Sequence, residues 1–186
     1  CSGVPLTADR YNLYSGNISI LNSLDMEPIN IGLFSSSFTN PVEIFGNEIS
    51  PTGHGELRCL VDAYITPPDA QTFSNFIRSS LVFELTNANL YTSESPITLT
   101  GDLQELNFSF EKAGFGNGSV GGTWSFRIEI TSSNGKSKSI TSSYSYETAY
   151  KASSCDQMAG SMMPAIQNLI SEILTNEMFP SLLSAD

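Results

Sequence analysis

The sequence predicts an α+β fold in which an antiparallel sheet of about four strands carries two helices on one face, in the order β-α-β-β-β-α. Three observations support this prediction. Residues 96–150 contain three runs in which apolar and polar residues alternate, the period typical of strands with one buried face. Asn134-Gly135 separates the last two runs, and Asn-Gly is a strong hairpin signal because a type I′ turn needs positive φ at both central residues. Two stretches with apolar residues at helical spacing flank these runs.

The first part of the chain shows little regular patterning. Residues 1–28 are rich in Ser, Asn, Leu and Tyr without sustained periodicity, so we expect a tether there and a single α+β domain over residues 29–186. A short edge strand over 17–21 is the alternative. Residues 29–34 alternate and are predicted as the first sheet strand, residues 35–55 as a long surface loop, and residues 57–64 as a further short strand.

The first helix is expected to begin at Thr66-Pro67-Pro68-Asp69. Thr66 is a suitable cap, proline is tolerated in a first helical turn, and an acidic third residue favours the helix dipole. Apolar residues then recur at helical spacing as far as Leu85, and we expect the helix to end near Asn87.

The three sheet strands are predicted at 96–111, 121–133 and 136–150, with the glycine-rich segment 114–122 connecting the first two. Alternation places Trp124, Phe126, Ile128 and Ile130 on the buried face. The opposite face is polar but poor in Lys and Glu, so we interpret it as a candidate partner surface, with an ordinary solvated sheet face as the alternative. Its residues are Ser125, Arg127, Glu129, Ser143 and Ser145.

The last predicted element is a helix over residues 156–178, whose Met, Ile and Leu residues form an apolar stripe suited to core packing. Pro164 interrupts this pattern. We favour a start at Ser161 with Pro164 in the first turn, and a kinked longer helix is the alternative.

The three cysteines point to an exported protein. The sequence begins with Cys1 followed by Ser2, as in a mature bacterial lipoprotein whose first residue carries acyl chains and whose second residue directs it to the outer membrane. The alternative is that the sequence starts at a cysteine by chance. Cys59 and Cys155 then form one remaining pair, which an oxidising compartment favours as a disulfide. Two buried free thiols are the alternative.

Composition excludes several classes of function. The net charge is −11 with only eight Lys and Arg residues, which argues against nucleic-acid binding and against electrostatic attachment to anionic lipid. No run approaches the ~20 apolar residues of a membrane helix, so membrane attachment would be covalent or peripheral.

The motifs of catalysis and cofactor binding are missing from the sequence. His54 is the single histidine and lies in a predicted loop, and no G-x-S-x-G is present. Gly114-x-Gly116-x-Gly118 is flanked by strands, the wrong context for a phosphate loop. There is no C-x-x-C, which disfavours zinc. We therefore expect no enzyme, no metal and no cofactor. The remaining catalytic hypothesis is a hydrolase using His54 or Cys1, the latter as an N-terminal nucleophile.

Several segments together resemble a known group. Pro-Ile-Thr-Leu-Thr-Gly-Asp-Leu at 96–103, Trp-Ser-Phe-Arg-Ile-Glu-Ile at 124–130, the Ser-Asn-Gly-Lys turn and Pro-Ala-Ile-Gln-Asn-Leu-Ile at 164–170 are similar to small outer-membrane lipoproteins of the YajG type. The resemblance implies this fold, attachment through Cys1 to the periplasmic face of the outer membrane, and an envelope protein as partner. The predicted function is a non-enzymatic binding or accessory module of the cell envelope. An auxiliary lipoprotein of an envelope lipid transporter is the alternative, and a large apolar cavity between helix and sheet would distinguish it.

Overall fold

The computed structural model describes residues 3–38, 44–45, 48–49, 51, 56–60, 63–112, 119–147 and 154–185. Within these residues the chain forms an α+β fold of two sheets and four helices, which confirms the predicted class. In chain order the elements are β1 (Val4–Thr7), α1 (Ser15–Ser23), β2 (Asn30–Ser36), β3 (Ile44–Phe45), β4 (Glu48–Ile49), β5 (Leu57–Leu60), β6 (Ala63–Thr66), α2 (Phe73–Asn87), β7 (Thr98–Lys112), β8 (Ser119–Ser132), β9 (Ser137–Glu147), α3 (Ser154–Thr175) and α4 (Phe179–Leu182).

The centre of the molecule is the antiparallel meander β7-β8-β9, as predicted. Its inner face packs under α3 and carries fully buried side chains such as Trp124 and Phe108. Phe108 lies against Trp124 edge to face, with ring centroids 4.9 Å apart. Alternation along each strand leaves the outer face polar, because every second residue points away from the helices.

Strand β2 differs from the all-antiparallel prediction, since it pairs with β7 in parallel. The chain returns from β2 to β7 through α2, and such a crossover connection produces parallel neighbours. The β2–β7 register shifts between Ile31 and Phe34. At this irregularity Arg78 of α2 donates from Nε to the Gly32 carbonyl at 2.6 Å and from Nη2 to the Ile31 carbonyl at 3.0 Å. Arg78 therefore satisfies two carbonyl oxygens where the ladder is interrupted.

The N-terminal residues pack on the domain, which differs from the tether predicted over residues 1–28. Strand β1 pairs in parallel with β6, and β6 pairs with β5, so these three strands form a second sheet. Helix α1 contacts α3: Leu21 is buried, and Asn17 donates its side-chain amide to the Gln167 carbonyl at 3.1 Å. Residues 17–21, predicted as an alternative edge strand, thus belong to a helix. The segment is too short for periodicity to reveal it, and its order comes from tertiary contacts.

The first large helix starts later than predicted. Helix α2 begins at Phe73, and Thr72 caps it by accepting from the backbone N–H of Asn75 at 3.1 Å. The Pro68–Ala70 segment forms a separate turn in which Asp69 and Ala70 have φ of 62° and 53°. Thr66 therefore does not cap this helix, because left-handed residues stand between it and the first helical turn. The predicted end at Asn87 is confirmed.

The C-terminal helix starts earlier than predicted. Helix α3 runs from Ser154 to Thr175 with Pro164 in its interior, so the favoured start at Ser161 is wrong. A proline inside a helix crowds the carbonyl of the residue four positions before it, which for Pro164 is Gly160. The space beside Gly160 is open, since an added Cβ there would meet nothing within 4 Å. Buried Met158 and Met162 anchor the turns on both sides of Gly160, so core packing offsets the missing hydrogen bond.

The predicted hairpin between β8 and β9 is present with a different turn. Gly135 has φ of 89°, whereas Asn134 is not among the described residues with positive φ. The Gly135 N–H donates to the Ser132 carbonyl at 3.0 Å, and the Ser132 N–H donates to the Lys136 carbonyl at 2.8 Å. This is the pattern of a type I turn followed by a left-handed glycine, so the two-residue type I′ turn is corrected to a three-residue loop.

Candidate functional site

The structure brings the five predicted surface residues together on the outer face of β8 and β9. Ser125 lies opposite Ser143, while Arg127 and Glu129 follow on the same face of β8. Ser145 lies opposite Thr123, and their hydroxyl oxygens are 2.8 Å apart. We call these five residues together the polar face; no helix of the described chain covers it.

Arg127 is the cationic centre of the polar face. Its Nη2 lies 3.1 Å from Oε1 of Glu105 on β7, and both side chains are partly exposed. Its Nε is buried and has no hydrogen-bond partner among the described residues. The guanidinium is thus held in place by one carboxylate and retains unused donor capacity.

Two carboxylates of β7, Asp102 and Glu105, lie beside the polar face and are not among its residues predicted from the sequence. Asp102 lies opposite Glu129, and Glu105 lies opposite Arg127, although strict alternation would put residues three apart on opposite faces. The register shift between Leu103 and Glu105 brings both carboxylates to the outer face. Asp102 accepts hydrogen bonds from the hydroxyls of Ser35 and Ser37. No sequence pattern marks this bulge.

The predicted disulfide between Cys59 and Cys155 is confirmed. It ties β5 of the small sheet to the first turn of α3, with Cα atoms 5.2 Å apart. Cys1 and Ser2, assigned to lipid attachment and sorting, lie outside the described residues, as do His54 and the glycines 114–118. Their predicted roles stay predictions.

A buried carboxyl group fixes the segment that precedes α1. Glu84 of α2 is fully buried, and its Oε1 accepts hydrogen bonds from the Tyr11 hydroxyl at 2.6 Å and the Tyr14 backbone N–H at 3.0 Å. Burial, together with the hydrogen bond and charge of Glu84, raises the pKa of Tyr11 above its ordinary value. These contacts hold the N-terminal segment against α2.

Large buried side chains lie in the layer between α3 and the meander. Trp124 is fully buried and donates from Nε1 to the Ser161 hydroxyl at 2.7 Å. That hydroxyl donates in turn to the Gln157 carbonyl at 2.6 Å, so the indole is satisfied inside the core. Met158, Met162 and Phe108 occupy the surrounding space.

An apolar cavity of about 570 Å³ lies instead at the end of the large sheet where β2 and β7 begin. Three separate segments line it, within 24–29, 92–97 and 179–185. The apolar lining residues are Leu24, Met26, Pro28, Ile29, Pro96, Ile97, Phe179, Pro180, Leu183 and Ala185. Its polar lining consists of three hydroxyl residues and the carboxylates of Asp25 and Glu27. We call this cavity the end groove.

The hairpin turn holds one wall of the end groove. Asn134 donates from Nδ2 to the carbonyls of Ser184 at 2.7 Å and Ser181 at 3.0 Å, and its Oδ1 accepts from the Lys136 N–H at 2.9 Å. The Ser132 hydroxyl donates to the Leu182 carbonyl at 2.6 Å. The Asn-Gly motif that predicts the hairpin therefore also attaches the C-terminal segment to the sheet.

A second depression, of about 510 Å³, lies between β2, β6 and the start of α2. Its lining includes Tyr64, Gln71 and Thr72, and the left-handed Asp69-Ala70 turn lies directly before these last two. Arg10 binds Asp69 through two hydrogen bonds of 2.6 and 2.7 Å, which lower the pKa of the Asp69 carboxyl. Both side chains are exposed, so this pair contributes little to stability.

Among the described residues, no group of three or more His, Cys, Asp or Glu side chains is arranged to hold a metal ion. No helix in that part of the chain is long and apolar enough to cross a membrane.

The chain resembles known proteins in structure but not in sequence. No family model matches the chain, and no curated protein matches it in sequence. Among solved structures, the chain is similar to the crystal structure of protein XCC0632 from Xanthomonas campestris, of family DUF330. The two share 13% sequence identity over 94% of this chain and 93% of that chain, with a TM-score of 0.48. This family is different from the YajG type.

Proposed function

We propose that the protein is a non-enzymatic binding module of the cell envelope, anchored through Cys1 to the periplasmic face of the outer membrane, and that it captures a protein partner with its polar face. One observation carries the binding role. The helices cover one side of the long meander and leave the other side open, where β7, β8 and β9 present hydroxyls around the Arg127–Glu105 ion pair.

The chemistry of the polar face suits recognition of a polar protein surface. Arg127 is partly fixed by Glu105, and its side chain is still partly exposed to an incoming partner. A pre-positioned guanidinium costs less entropy to order on binding than a mobile one. The neighbouring carboxylates Asp102 and Glu129 give the surface a mixed charge pattern, which favours specificity over raw affinity.

The proposal is tested by photo-crosslinking in membranes of the native host, with a crosslinking amino acid placed at Ser125 or Ser143. We expect the same protein adduct from both positions. A crosslinker at exposed Glu172 on α3 is the control and should not give that adduct. Combined Arg127→Ala and Glu129→Ala substitution should abolish the adduct, and an adduct that survives this double substitution would refute the role of the polar face.

The anchor is tested separately by the intact mass of the protein extracted from those membranes. Diacylglycerol and acyl additions on Cys1 would support the proposed localisation, whereas a free amine would remove the anchor and revive the nucleophile hypothesis. The transporter-auxiliary alternative predicts an apolar cavity between helix and sheet. In that layer Trp124, Phe108, Met158 and Met162 are fully buried side chains, which supports the binding module over the transporter auxiliary.

A further inference from the structure

We propose that the end groove is a binding site for a small molecule with an apolar body and a positively charged group. This site is distinct from the polar face and has a different chemistry.

The apolar body of such a molecule fits the floor of the end groove. A volume of about 570 Å³ lies within the range of small-molecule sites, roughly 300–1,000 Å³. Ten of the fifteen lining residues are apolar, and Ile97 and Phe179 are buried at its base. A ligand chain placed there would be removed from water against a preformed apolar surface.

The acidic residues at the rim of the end groove indicate that the ligand carries a positive charge. Asp25 and Glu27 are both exposed and line the mouth of the end groove, and exposed Glu94 lies between lining residues Thr92 and Ser95. No lining residue is basic, and Lys136 and Lys138 of the adjoining hairpin lie outside the lining. With a net charge of −11 on the whole chain, the electrostatic potential favours a cation and disfavours an anionic lipid or a fatty acid.

The walls of the end groove are already ordered. The Ile29 N–H donates to the Leu90 carbonyl at 3.0 Å and the Thr92 N–H donates to the Ile29 carbonyl at 2.9 Å, which joins two lining segments. Asn134 and Ser132 hold the third segment through the carbonyls of residues 181–184. A pre-organised cavity loses little binding free energy to ordering of the protein.

The experiment uses three probes that share one apolar chain: octyltrimethylammonium, octyl glucoside and octyl sulfate, each kept below its critical micelle concentration. The full chain, disulfide intact, is titrated with each probe and followed by amide chemical shifts and calorimetry. We expect shifts at Met26, Ile97 and Ser184. The cation should bind about fivefold to tenfold more tightly than the neutral probe, with a preference that decreases as salt rises.

Matched variants distinguish the contribution of the carboxylates to probe affinity from that of the apolar lining. Asp25→Asn combined with Glu27→Gln should reduce the preference for the cation to about twofold or less while leaving octyl glucoside affinity unchanged. Asp9→Asn combined with Glu172→Gln removes the same charge from exposed positions outside the lining and should retain the preference. Met26→Lys should abolish binding of octyltrimethylammonium without changing the amide spectrum of the meander.

Three results would overturn the proposal. These are equal affinity for the three probes, a cation preference that survives the Asp25→Asn and Glu27→Gln pair, and chemical-shift changes that lie outside the end groove. A stronger affinity for octyl sulfate would likewise reject the cation and favour an anionic amphiphile.

Discussion

Replacing Asn134 by alanine should detach the C-terminal wall of the end groove. The side chain makes three short hydrogen bonds: Nδ2 to the Ser184 and Ser181 carbonyls, and the Lys136 N–H to Oδ1. At ~1 kcal/mol net for each bond, the loss is about 3 kcal/mol if none is replaced. Because Asn134 is only half-buried, water will satisfy part of these groups, and we expect about 2 kcal/mol.

The assay is equilibrium unfolding in urea, combined with hydrogen exchange of the amides in residues 179–185. A loss of about 2 kcal/mol corresponds to a decrease in Tm of about 4–8 °C for a domain of this size. The exchange protection of the C-terminal segment should fall more than that of β8. Octyltrimethylammonium affinity should fall as well, since one wall of the end groove becomes mobile.

A matched control is Asn168→Ala on α3. Asn168 also donates through Nδ2, to the Ser142 hydroxyl at 2.9 Å and the Ser143 carbonyl at 3.3 Å, but it does not line the end groove. It should lower stability without a selective loss of protection at residues 179–185. The reasoning is refuted if Asn134→Ala costs less than ~0.5 kcal/mol, or if both variants change C-terminal protection equally.

Three further predictions concern stability. Arg78→Met removes both donors from the interrupted β2 ladder and should cost about 2–4 kcal/mol in urea unfolding, whereas Arg10→Met, at an exposed ion pair, should leave the free energy of unfolding nearly unchanged. Reducing the Cys59–Cys155 bridge opens a loop of 96 residues and should lower the free energy of unfolding by about 4–5 kcal/mol in the chain-entropy model, as measured by urea unfolding with and without reductant. Burial raises the pKa of Tyr146 to about 12, so its stabilising effect is complete below its unfolded pKa near 10 and is lost as pH rises toward 12. A Tyr146→Phe variant should show a smaller loss of stability over that range.

The meander could be predicted because local pattern and tertiary structure agree there. Trp124, Phe126, Ile128 and Ile130 alternate with polar residues, and each is buried on the inner face. The Asn134-Gly135 motif located the hairpin correctly, although the turn type differs. The two remaining cysteines allowed only one pairing, and that pairing is present.

The other parts could not be predicted from local pattern. The β1 strand has four residues and acquires its partner, β6, more than fifty positions later. Helix α3 contains Pro164 because burial of Met158 and Met162 in the core outweighs the local cost of the proline. The bulge that brings Asp102 and Glu105 to one face is a property of pairing between two strands, and neither strand marks it alone.

The end groove was missed for a related reason, since its lining comes from three segments that are far apart in sequence. Asp25 and Glu27 lie in the segment 1–28, which the sequence predicts as a tether because it lacks sustained periodicity. Only the presence of residues 92–97 and 179–185 on the other sides makes this segment a cavity wall. An apolar cavity with acidic residues beside it forms here only when the fold brings these three segments together.

The contacts of Asn134 make the two proposed sites experimentally separable. Ser125 and Ser143 of the polar face lie on β8 and β9, away from the hairpin turn. Their side chains share one face because of the backbone pairing between β8 and β9, and Asn134 is not part of that pairing. Asn134→Ala should therefore weaken cation binding in the end groove and leave the photo-crosslinked adduct from Ser125 unchanged. The double substitution at Arg127 and Glu129 should abolish the photo-crosslinked adduct and leave cation binding in the end groove unchanged. If either change affected both readouts, the two surfaces would act as one site, because independent sites require independent losses.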